Sequence, residues 1–228
     1  MNVEIVKHPT DDDWMLAKQC TLVTIGKNPV TPPDLEWKKR LLAACHSPIR
    51  TLNFCFRLTD VPYWVSTHLV RHVHATPFVK SQRNDRQSDY DRRKAPQDAP
   101  VDMMWYMNAE ELMTIAHKRL CNQASKETRE VVAEMCRQVI EVCPEFDGLL
   151  VPLCEYRGGV CTEFKPCGRN LTVKNDLGNL SEEAFRDFLK TIGLEQADKN
   201  YIDRVMLDAA QQIGATVQCG IDKATKGR

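Results

Sequence analysis

The residues best suited to chemistry lie between Ser66 and Arg86, where the chain reads STHLVRHVHATPFVKSQRNDR. Arg71 and His72 close a helical pattern, His74 follows, and Ser81, Gln82 and Arg83 begin ten residues after Arg71. An arginine presents a planar fork of donors that fits a phosphate or a pyrimidine carbonyl. Serine and glutamine side chains suit a ribose hydroxyl or a base edge. From Arg71 to Lys94 there are seven Lys or Arg against three Asp, a local charge of +4. So many fixed donors with so few carboxylates point to a small phosphorylated ligand such as a nucleotide. The same residues leave a second reading open, a solvated basic loop forming surface ion pairs.

The whole chain of 228 residues carries 31 basic and 31 acidic side chains. A zero sum argues against global attraction to a nucleic acid or an anionic membrane. Lys118-Arg119 and Arg92-Arg93-Lys94 have no aromatic residues interleaved, so no nucleic-acid polymer is expected as a partner.

In order and spacing these residues resemble the flavin-dependent thymidylate synthases. That family's signature is R-H-R, seven residues, then S; here Arg71-His72-Val73 is followed, after seven residues, by Ser81. Ser81-Gln82-Arg83 resembles the family's S-x-R, and His46-Ser47-Pro48 resembles its upstream histidine element. MNAEELMTIAHKRL is similar to the family helix N-A-R-S-L…R-L, and ASKETR, residues 124–129, to A-Q-x-E-I-R. The resemblance runs from about residue 34 to 143. It departs from the pattern at Val73 (for Arg), Arg50 (for Glu), Glu110 (for Arg), Thr114 and His68, and in a shorter connection from Arg83 to Asn108.

The resemblance implies an FAD enzyme that transfers a one-carbon unit from methylenetetrahydrofolate to C5 of deoxyuridylate (dUMP), with NADPH as reductant. It implies that His46, Arg71, His72 and Asn108 contact flavin and that Ser81, Gln82, Arg83 and Arg119 hold dUMP. Arg119 would also be catalytic, stabilising the negative charge that develops on the pyrimidine. Without the resemblance, Arg119 also reads as a surface helix arginine and His72 as a hydrogen-bonded loop histidine. A homotetramer with shared active sites is implied as well. Hydroxymethylation of the same pyrimidine, and a flavin- or nucleotide-binding protein without catalysis, are the alternatives that the departures keep open.

The elements that must position these residues follow from periodicity. Val3–Val6 reads as an edge strand and Thr21–Ile25 as a second. Asp34 caps a helix with Leu35, Leu41 and Leu42 on its apolar face and Trp37 at the border. Thr51–Leu58 alternates as a strand burying Leu52, Phe54 and Phe56. Asp60 and Pro62 open a helix through His72, and Arg71–Lys94 reads as a loop. Val101–Met107 is a strand; Asn108 with Glu111 forms a capping-box pattern for a helix to Leu120, and Ser125 begins another that Pro144 ends. From Ser181, helices are expected over Glu182–Ile192 and Gln196–Ile213. The expected fold is α+β, an antiparallel sheet packed with helices, over residues 1–150. A Cys-rich connection (151–170) and a helical C-terminal segment (171–228) follow.

Ten cysteines are present, of which Cys143, Cys154, Cys161 and Cys167 lie within 25 residues. No C-x-x-C knuckle occurs, so zinc, reduced thiols and redox pairing all remain readings of that segment. No run of about 18 apolar residues exists, and the N-terminus MNVEIVKHPTDDDW lacks a signal-peptide core. The cytoplasm is therefore the expected compartment.

Overall fold

The computed structural model describes residues 1–86, 91–158, 160–169 and 171–172. The chain divides into two compact units, Met1–Tyr156 and Arg157–Arg228. The first is an α+β fold built on a four-stranded antiparallel sheet of order β1 (Asn2–Lys7), β2 (Asn53–Pro62), β4 (Pro100–Asn108), β3 (Thr76–Val79).

Strand β1 (Asn2–Lys7) lies at one edge of that sheet, where the Val3–Val6 pattern put it. The strand expected over Thr21–Ile25 is instead the end of helix α1 (Asp11–Val23). The start of the helix decides this. Thr10 Oγ1 accepts from Asp13 N–H, the Asp13 carboxylate accepts from Thr10 N–H at 2.8 Å, and Asp11, Asp12 and Asp13 all fill the first turn. Trp14 and Ala17 are buried on one face, and Thr21 donates its hydroxyl back to Ala17 O at 2.9 Å. Packing and capping thus override the β-propensity of TLVTI.

Helix α2 (Leu35–Ala43) starts at its Asp34 cap and buries Leu41 and Leu42. Leu35 stands at its first turn, 49% exposed, outside the apolar face assigned to it. A short 3-10 turn, Ser47–Thr51, leads into β2 (Asn53–Pro62). This strand runs past Leu58 because a register shift between Leu58 and Val61, with Asp60 in a left-handed conformation (φ 54°), carries it on. Asp60 therefore opens no helix; α3 (Tyr63–Leu69) begins after Pro62.

Phe54, Phe56 and Leu58 of β2 lie opposite Met107, Trp105 and Met103 of β4 (Pro100–Asn108), and all six are buried. Phe54 is 5.4 Å, edge-on, from Phe146 and 6.4 Å from Phe56. Within the stretch read as a loop, Thr76–Val79 forms β3, the other sheet edge, paired with Met103–Tyr106. Four residues are too few to show a period, and β4 supplies the missing hydrogen bonds.

Helix α4 (Ala109–Arg119) follows β4 directly, and α5 (Lys126–Val142) packs on α4 and β1. Gln138 of α5 donates to Val3 O (2.7 Å) and accepts from Ile5 N–H (2.8 Å), giving β1 backbone groups a side-chain partner. A 3-10 turn (Pro144–Phe146) and the short α6 (Leu153–Tyr156) complete the unit. In the second unit, β5 (Val160–Cys161) and β6 (Leu171–Thr172) pair in parallel. The expected helices Glu182–Ile192 and Gln196–Ile213 lie outside the described residues. No helix among the described residues is long and apolar enough to cross a membrane.

Truncating Phe54 removes a fully buried ring from the centre of this core. Phe54→Ala is expected to lower stability by about 3–5 kcal/mol, read from the shift in urea midpoint.

Candidate functional site

Helix α4 carries Glu111 in its first turn and Arg119 as its last residue. They are eight positions apart, about 12 Å along the axis on one side of the helix. The turn after α3 places His72 between them; His72 N–H donates to Leu69 O (3.1 Å), and Ala75 N–H to His72 O (3.1 Å). Arg119 Nε–H donates to His72 Nε2 at 2.9 Å and Nη2 donates to His68 O at 2.7 Å. On the other side of the ring, His72 Nδ1 stands 3.3 Å from Glu111 Oε1. The ring also meets Trp105 of β4 edge-on at 6.2 Å.

The His72 and Glu111 side chains are buried, 9% and 6% exposed, and Arg119 is half-buried. Burial, and next the Arg119 charge, lower the His72 pKa to about 4, so the ring is neutral near pH 7. Burial raises the Glu111 carboxyl, with Glu110 adding to the rise and His74 opposing it. Burial also lowers the Arg119 pKa, and Arg71 repels it further.

The residues singled out from sequence are only partly brought together. His72 and Arg119 are bonded, and Arg71 is exposed but near enough to act on Arg119. Asn108 heads the same helix, and its side-chain oxygen accepts from Glu111 N–H at 2.9 Å. Only half of the expected capping box forms, because the Glu111 carboxylate turns to His72. Ser81, Gln82 and Arg83 follow β3 in a surface loop. There Arg83 N–H donates to Ser81 Oγ (3.3 Å), and the Arg83 fork engages Asp85 (2.9 and 2.6 Å). His46 is exposed before the 3-10 turn and makes no side-chain capping bond there.

Two departures from the family pattern answer each other. Arg50 donates through Nε and Nη2 to the two Glu110 oxygens at 2.5 and 3.1 Å, so opposite charges at positions 50 and 110 form one bidentate pair. Val73, where the pattern has a second arginine, is 82% exposed. Among the cysteines, Cys143 and Cys161 are buried, Cys154 is half-buried in α6 and Cys167 is exposed. Burial, the Glu145 charge adding to it, pushes the Cys143 thiol up to about 12. Among the described residues no group of three His, Cys, Asp or Glu side chains could hold a metal ion. Glu111 is the site residue that the sequence conceals, since its spacing from Asn108 reads as helix capping alone.

The site predicts an acid sensitivity. The unfolded chain protonates His72 near pH 6.5 and the folded chain only near 4, so stability falls as pH drops through that window. The loss is on the order of 3 kcal/mol at the limit. Glu111 acts oppositely: its pKa is raised above 4.5, so the folded chain takes up that proton first and recovers part of the loss. Urea midpoints should fall from pH 7 to pH 5, and fall more steeply in Glu111→Gln, which removes the opposing uptake. A shallower profile in the variant contradicts the assignment.

Comparison with known proteins agrees with this architecture. Residues 89–145 match the model of the thymidylate synthase complementing protein family. A crystal structure of thymidylate synthase X (ThyX) from Helicobacter pylori with FAD and dUMP is similar with a TM-score of 0.52 at 14% identity; the match covers 60% of this chain and 92% of that one. A second crystal structure, of the flavin-dependent thymidylate synthase ThyX from the same organism complexed with FAD and dUMP, gives 0.53 at 14% identity over 65% and 99%. No curated protein sequence matches. The chain thus shares the α+β fold of these structures, and the segment that matches the family model includes β4, α4 and α5.

Proposed function

We propose that the protein is an FAD-dependent enzyme that transfers a one-carbon unit from methylenetetrahydrofolate to C5 of deoxyuridylate, with NADPH as reductant. The observation that carries this reading is the half-buried Arg119 guanidinium, fixed by His72 and the His68 carbonyl at the end of the helix that bears the family match. Among the described residues its Nη1 has no hydrogen-bond partner, so an edge of the fork remains for a ligand oxygen.

The donor chemistry fits both ligands. Exposed Arg71 and His46 suit the diphosphate of FAD, and Asn108 stands at the head of α4. Bound and reduced, FAD would supply the electrons for the transfer. Arg119 would bind the pyrimidine carbonyls and stabilise the negative charge that gathers on the ring as C5 becomes nucleophilic. Ser81, Gln82 and Arg83 would hold the nucleotide, with phosphate displacing Asp85 from the Arg83 fork. A homotetramer fits the surface beside the site: Phe78 on the edge strand β3 is 63% exposed, and Val73 is exposed next to His72. A cytoplasmic enzyme follows from the same reading.

Purified protein should be yellow or become so on adding FAD, and should bind deoxyuridylate. Arg119→Ala should reduce nucleotide binding or turnover by at least about a hundredfold, as loss of a charge-stabilising donor does. Mass analysis of the product distinguishes a methyl from a hydroxymethyl group at C5. A protein that takes up no flavin is not this enzyme.

A further inference from the structure

We propose that Glu111 is a positioning residue: it fixes the tautomer of His72 and, through His72, sets the direction of the Arg119 guanidinium. The proposal rests on the nucleotide site described above and deepens it.

Hydrogen-bond chemistry gives the chain of contacts a single direction. Arginine only donates, so the His72 Nε2 that faces Arg119 Nε–H at 2.9 Å must be an unprotonated acceptor. In a neutral imidazole the proton then sits on Nδ1. Glu111 Oε1 lies 3.3 Å from that nitrogen, within ion-pair reach, and is the acceptor to which its proton is assigned. The first link, Arg119 Nε–H to His72 Nε2, is a hydrogen bond of the structure, and the second, His72 Nδ1–H to Glu111, is the one inferred from the 3.3 Å approach. An imidazolium would set a second N–H against Arg119 and place two cations side by side in a buried site. Without Glu111, Nδ1–H loses its acceptor, and the Nε2–H tautomer, which cannot receive Arg119, becomes competitive.

Both His72 nitrogens then face protein groups, and His72 would act on the ligand through Arg119. Trp105 closes one side of the ring, and the His68 carbonyl fixes Arg119 Nη2. The other charged groups acting on this chain are Arg71 on Arg119, and His74 and Glu110 on Glu111. None of them supplies the acceptor that Nδ1 needs among the described hydrogen bonds and ion pairs.

The test is nitrogen-15 NMR of the full chain labelled at histidine, with His72 assigned by its loss in His72→Gln. At pH 7, and still at pH 6, Nδ1 should be protonated and Nε2 not; an Nε2–H or imidazolium signature overturns the proposal. Deoxyuridylate titration then reads the consequence. Glu111→Leu should weaken affinity about tenfold or more, whereas Glu111→Gln, whose amide oxygen still accepts from Nδ1–H, should stay within about threefold. Unchanged affinity in Glu111→Leu also overturns it. A wild-type chain that shows the expected tautomer yet binds no deoxyuridylate upholds the hydrogen-bond chain and overturns the nucleotide reading instead. If Glu111→Leu does not fold, Glu111→Ala carries the same tautomer and affinity test, and a variant that keeps both unchanged overturns the proposal.

Discussion

A guanidinium cannot give up its proton at any ordinary pH, so whatever packs around Arg119 has to offer it acceptors. That requirement organises the core of the site. One acceptor is the carbonyl of His68, near the end of α3; the other is a ring nitrogen whose lone pair exists only while the ring is neutral. The burial that makes Arg119 costly to hold is the same burial that keeps His72 uncharged. Each group makes the state of its neighbour possible, and removing either leaves a polar atom stranded away from water.

The sheet determines where this can happen. Asn108 is both the last residue of β4, opposite Asn53, and the cap of α4. The next residue, Ala109, donates its N–H to Leu52 O at 2.8 Å, so the junction is tied to the segment entering β2. The helix leaves the sheet in a fixed direction, and the Glu111–Arg119 face meets the turn that ends α3. At the far end of α4, Arg129 donates to Ala124 O (2.6 Å) and Asn122 O (3.3 Å), holding the turn into α5. The family segment is thus a structural unit that aims one side chain.

Much of this is legible in sequence where a side chain's role is local. Asp34, Asn108 and Ser125 announce their helices because capping needs one residue type at one spacing. Phe54 and Phe56 announce β2 by alternation. Thr10 with Asp13 is an equally complete signal, hidden by the β-branched TLVTI that follows it. Asp60, in a left-handed conformation inside a strand, reads locally as the opening of a helix, because the Asp102 carboxylate that accepts from its N–H lies 42 residues on. Glu111 shows the limit most clearly. Its spacing to Asn108 satisfies a local rule, while its carboxylate serves a histidine thirty-nine residues earlier. Arg50 and Glu110 look like two separate losses until the fold sets them face to face.

The Gln138 amide gives the sheet a polarity of its own. By occupying Val3 O and Ile5 N–H it stops the ladder at β1, and a neighbouring chain finds no register to extend there. One glutamine on a helix therefore withdraws two backbone groups that an added strand would need, and does at this edge what a charged or bulged strand does elsewhere.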